Sequence, residues 1–192
     1  MRKAALVATI CLTGTVLAAS AVRGANDAPQ PGDVFTATAS LKTAGGTSVA
    51  APVTITITRW TSDEERTKAL AALKTGGAAL KTALDGMPET GTLQIGGRTT
   101  PLRYARALPT AGGKLVTIVT TQPILFVGAG VPEAKPKTGY EFGFATFEID
   151  ASGKGTAGDL APAAKLKIGQ QDAVVVDDYG AEAVRLTQIS SK

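Results

Sequence analysis

Apolar and polar residues alternate without a break from Val53 to Thr58, where Val53, Ile55 and Ile57 are separated by Thr54, Thr56 and Thr58. Successive side chains of an extended chain point to opposite faces, so a period of two predicts a strand with one face in a core. Residues 35–42 are also strand-like, and the Gly45-Gly46 pair between the two segments predicts a hairpin. After Trp60 the period changes. Leu70, Leu73, Gly77, Leu80, Leu84 and Met87 recur at steps of three and four, the stripe of an amphipathic helix. Ser62 and Glu65 have the spacing of a capping box, and Asp63 and Glu64 put negative charge where the helix dipole favours it. Gly86 and Pro88 mark the end. The stripe keeps its phase across Gly76-Gly77, which predicts one continuous or gently kinked helix over about 62–86. Gly77, lying on the stripe, would let the helix backbone approach a sheet closely.

Beyond Gly91 the strand signature returns at 92–96, 101–108, 114–121, 140–149, 163–168, 172–177 and 183–189, separated by glycine-rich turns. Strands without intervening helices form antiparallel sheets. The expected class is therefore α+β: a curled sheet, half-barrel or sandwich with one long amphipathic helix packed on it. A single domain is expected over 35–190. Residues 128–139, with three glycines and two prolines, are the expected mobile loop.

The N-terminal pattern changes the picture of where such a domain works. Met1-Arg2-Lys3 precedes an apolar run from Ala4 to about Ala19, followed by Ala19-Ser20-Ala21. This is the layout of a signal peptide over 1–21, with a flexible leader over 22–34. The expected location is exported, periplasmic or secreted, with no stable membrane span after cleavage. Removing Arg2 and Lys3 with the signal peptide lowers the net charge from +4 to +2. The remaining cations are scattered among acids, the opposite of a basic stripe, so no nucleic acid is expected as partner.

The chain has no histidine, and its one cysteine, Cys11, lies inside the segment to be removed. Catalysis by Ser-His-Asp or Cys-His is excluded, as are zinc and copper sites built on those ligands. No metal, no cofactor and no catalytic residue is expected. The about 170 residues that remain suffice for one core without disulfides.

The phrases "RWTSDEER" (59–66), "LRYAR" (102–106), "TTQPILF" (120–126) and "VRLTQI" (184–189) together resemble a group of exported bacterial proteins with no assigned function. The resemblance covers most of the mature chain. It implies an exported single-domain protein and transfers no activity, ligand or catalytic residue.

Several constellations suggest chemistry. Gly153, Gly155 and Gly158 spell GxGxxG, but Pro162 follows where a helix is required, so a glycine-rich hairpin is expected. Asp177 and Asp178 are neighbours at a strand end and should point to opposite faces. Asp150 and Ser152 fit a turn. Arg103, Tyr104 and Arg106 form the densest basic-aromatic cluster, suited to anionic groups or to strand-surface solubility. Trp60, at the strand-to-helix junction, is expected to cover the sheet edge or helix start. Its second reading is an exposed lip with Arg59. The candidate ligand-binding residues are thus Arg59, Trp60, Arg103, Tyr104 and Arg106. The expected function is a non-enzymatic module binding a small apolar ligand or a protein partner. A structural envelope-associated domain and a carboxylate-dependent hydrolase are the alternatives.

Overall fold

The computed structural model describes residues 32–42, 48–124 and 138–192. The expected signal segment, most of the leader, the Gly45-Gly46 turn and nearly all of the 128–139 loop lie outside the described residues. Among the described residues, ten strands form one antiparallel sheet: β1 (Val34–Lys42), β2 (Ser48–Ile57), β3 (Gly91–Ile95), β4 (Arg98–Leu102), β5 (Tyr104–Pro109), β6 (Gly113–Thr120), β7 (Phe142–Asp150), β8 (Lys154–Ile168), β9 (Val174–Tyr179) and β10 (Val184–Ser191). The order is β4-β3-β2-β1-β10-β8-β7-β6-β5, with β9 also paired to β8. The two ends of this path, β4 and β5, are joined by Arg103 alone. The sheet therefore curls into a nearly closed barrel. The Arg103 N–H bonds to the Val119 carbonyl at 2.9 Å, carrying the ladder across the break.

A second seam holds the curl. Beyond β2, the Thr61 N–H donates to the Ala105 carbonyl at 2.9 Å, and the Ala105 N–H donates to Thr61 Oγ1 at 2.9 Å. A side-chain hydroxyl thus stands in for the carbonyl of a neighbouring strand at a site where Thr61 is only 2% exposed.

The alternation in the sequence fills the curl. Val53, Ile55 and Ile57 point inward with Phe35, Leu93, Ile95, Ile118, Phe147, Ile149 and Leu186. Phe35 and Phe147 meet edge to face with centroids 5.1 Å apart, a favoured geometry for aromatic pairs. The interior is a packed core.

A second core lies outside the sheet. Leu70, Leu73, Leu80 and Leu84 bury against Tyr104, Val119, Phe142, Phe144, Ala161, Ala164 and Val174. Here both sheet faces are covered, so Val116 to Thr120 is buried at every position.

The single long helix expected over 62–86 is corrected by the structure. This segment forms two helices, α1 (Asp63–Thr75) and α2 (Gly77–Asp85), divided at Gly76, whose backbone has φ 136° and ψ 171°. That conformation is open to glycine and costly for any residue with a Cβ. The Gly76 N–H still closes onto the Ala72 and Leu73 carbonyls at 3.1 Å each. Phase alone does not reveal the break, because both helices turn their leucines to the same sheet face. The capping box is present as the spacing predicts: Ser62 Oγ accepts from the Glu65 N–H, and the Glu65 carboxylate accepts from the Ser62 N–H.

Two strand expectations also shift. The run expected at 101–108 is split at Arg103 into β4 and β5. The strand expected to start at 163 starts at Lys154, so most of the GxGxxG stretch lies in β8 beyond the Asp150–Gly153 turn. A Cβ on Gly158 would sit 2.5 Å from Phe147 Cβ, so the glycine there serves close strand packing.

Candidate functional site

Arg59 and Trp60 leave β2 at the rim of the barrel, and their side chains go separate ways. The Arg59 guanidinium forms a two-pronged pair with Glu65, with both N–O distances 2.9 Å. It also donates to the Pro88 carbonyl at 2.9 Å and the Glu89 carbonyl at 3.2 Å. Arg59 therefore ties the start of α1 to the connection that follows α2. Burial alone would raise the Glu65 pKa. The hydrogen bonds from Arg59 and from the Ser62 backbone outweigh it, and the carboxyl sits below its ordinary value. Trp60 is half-buried against the barrel core, with Lys114 Nζ 5.7 Å from its ring centroid. The same ammonium lies 5.6 Å from the Phe35 ring and 2.6 Å from Asp33. The indole thus sits over one end of the packed interior.

Arg103, Tyr104 and Arg106 fall on the same side of the molecule. Arg103 occupies the break between β4 and β5, so strand alternation does not set its direction relative to Arg106. It donates to the Met87 carbonyl at 3.1 Å and pairs with Glu89 at 3.4 Å. Arg106 donates to the Thr61 carbonyl at 3.2 Å and pairs with Asp63 at 2.6 Å. Tyr104 is 3% exposed beneath the helices, and burial raises its pKa. The structure therefore brings the arginines together as staples between helix ends and sheet. Each guanidinium is directed at a protein partner.

The carboxylate motifs have local roles. Asp150 Oδ1 accepts from the N–H groups of Ser152 and Lys154 and from Ser152 Oγ, which closes the β7–β8 turn. Those bonds, led by the Ser152 hydroxyl, lower its pKa. Asp177 pairs with Lys167 at 3.0 Å, whereas Asp178 accepts from the Tyr140 hydroxyl. The neighbours diverge, as strand geometry requires. Among the described residues, no three acidic side chains gather as a cation site.

Sequence reasoning missed an open groove of about 340 Å3 on the outer face of the sheet. Leu115, Phe144 and Ala161 supply an apolar floor, with Thr117, Thr146 and Asp159 beside them. The registers Thr117↔Thr146 and Thr146↔Asp159 place these three in one row across β6, β7 and β8. The wall is Ala173, Val174, Val175 and Val176, ending near Tyr179, which is 49% exposed. Four consecutive residues line this wall. Their side chains alternate between faces, so a cavity touching all four runs along the edge of the strand. The signal was the unalternated Val174-Val175-Val176 run, apolar on both faces of a strand that had to border something on each side.

Searches against family models, curated proteins and solved structures each find no match to this chain. The site therefore rests on its geometry. No helix among the described residues is long and apolar enough to cross a membrane.

Proposed function

We propose that the protein is an exported, non-enzymatic module that binds an apolar ligand or a protein partner on the outer face of its barrel-like sheet. The observation that carries this reading is the groove between β6, β7, β8 and β9, where Leu115, Val175 and Val176 are only partly buried beside a few polar groups. Its volume lies near the lower end of the range for small-molecule sites. The inside of the curl is occupied by Phe35, Phe147 and their neighbours, so the outer groove is the better receptor. Export is supported by the basic, apolar and small-residue layout of residues 1–21.

Native mass spectrometry of the protein isolated from its exported fraction tests the reading. The expected result is a bound species that is lost in Val175→Lys and retained in Arg98→Ala, which lies away from the groove. A wild-type protein that carries no species and takes up no apolar dye at the groove would favour a purely structural envelope domain instead.

A further inference from the structure

The edge of β9 narrows the kind of partner. β9 pairs with β8 alone, and among the described residues no strand pairs with its other edge. An open edge carries a row of backbone donors and acceptors that another extended chain can satisfy. That edge borders the groove, because Ala173 to Val176 line it in sequence. We propose that the groove takes an extended polypeptide segment, added as a strand to β9, with apolar residues on the floor and a basic residue facing Asp159. This rests on the binding-module reading and specifies its partner.

Three features select that occupant. First, a strand laid on β9 presents side chains alternately, so every second one is directed at the groove floor, where Leu115 is only partly buried. Second, the charged side chain lining the groove is a carboxylate. Asp159 is about half exposed, and its pairing with Arg185 is long, at 3.7 Å. Third, a second copy of this chain is a poor occupant. Antiparallel self-pairing about the centre of β9 would gather Asp177 and Asp178 of both copies around the two-fold axis. Like charges placed so are destabilising, and carboxylates on an open edge are a known guard against self-association.

The test uses the full mature chain and a displayed library of nine-residue peptides, selected on the wild type and counter-selected on Val175→Lys. Enriched sequences are expected to alternate apolar residues and to carry one lysine or arginine. The best is then synthesised in three forms: unmodified, N-methylated at alternate amides in each of the two phases, and with its cation replaced by glutamate. One N-methylated phase should lose at least about tenfold in affinity, since it removes the donors that face β9. Asp159→Lys should weaken the cationic peptide and strengthen the glutamate form, reversing the preference. Amide chemical-shift changes should centre on Ala173–Val176. Equal tolerance of both N-methylated phases would overturn strand addition and leave the groove reading intact. Failure to enrich any peptide sensitive to Val175→Lys, while an apolar dye still binds the groove, would overturn the proposal in the same way. If neither peptide nor dye binds there, the binding-module reading falls as well.

Discussion

Arg59 shows how one side chain decides local order. Its planar fork fits the Glu65 carboxylate while its remaining donors reach two loop carbonyls, an arrangement that lysine cannot reproduce. Arg59→Lys should therefore lower stability by about 1–3 kcal/mol, measured as a denaturant midpoint. Glu65 adds a pH dependence. Its folded pKa lies below the ordinary 4.5, so the unfolded chain binds the proton more readily. The stabilisation is present above about pH 4.5 and is lost as pH falls from there through the depressed folded value. Glu65→Gln should flatten that part of the stability profile; an unchanged acid limb would remove Glu65 as its source. Trp60 packs, partly buried, against the barrel core. Trp60→Ala should cost about 2–4 kcal/mol, discounted from the full range for large buried aromatics because the ring is half-exposed. The wild-type emission should shift to longer wavelength on unfolding, and it reports one site because Trp60 is the chain's only tryptophan. At this scale the sequence showed which residues matter but not their partners. The cluster of Arg103, Tyr104 and Arg106 was visible; that both guanidiniums would turn to helix ends depended on a strand break that no pattern marks.

At the scale of elements, the helix pair carries the sharpest contrast between pattern and backbone. Gly76 and Gly77 are adjacent, yet they do opposite things. Gly76 holds a φ of 136° with open space where a Cβ would stand, so the penalty of a side chain there is conformational. Gly77 begins α2, and a Cβ there would lie 3.6 Å from Phe142 Cε2, an ordinary contact. Gly76→Ala should destabilise by about 1–3 kcal/mol. Gly77→Ala should be neutral or stabilising by up to about 1 kcal/mol, because alanine reduces the freedom of the unfolded chain. Chemical denaturation of the two variants side by side checks this; equal effects would mean that the chain passes through 76 as a regular helix. Strand positions were legible because burial on one face imposes a period of two. The capping box was legible because it is local. The Gly76 break was not, since leucine spacing records the face a helix buries and not the turn between two helices that share it. The first half of β8 was hidden for a related reason: Gly155 and Gly158 satisfy close packing against the Glu148 carbonyl and Phe147 and carry no alternation of their own.

At the scale of the whole molecule, the question is what keeps a ten-stranded antiparallel sheet curled. β4 and β5 are the two ends of the strand order, yet the chain joins them through Arg103 alone, so curling must bring those ends together. The curl also lets one set of inward residues form a single core while the helices cover part of the outside. The antiparallel class could be read from the absence of helices between strands; closure could not, because it depends on long-range contacts such as Thr61 with Ala105. That contact makes closure testable. Thr61 Oγ1 accepts the Ala105 N–H where no backbone carbonyl does, and both residues are buried. Thr61→Val preserves shape but removes the acceptor, leaving a buried donor without a partner at a cost of about 1–3 kcal/mol. Thr61→Ser restores the hydroxyl and should recover most of that loss. If the bond is a seam that can open locally, hydrogen exchange at the Ala105 amide should accelerate in Thr61→Val beyond the fall in global stability, while interior amides of β7 change only with the global value. If Ala105 and the β7 amides accelerate equally, the seam does not open by itself and closure is maintained by the packed interior as a unit.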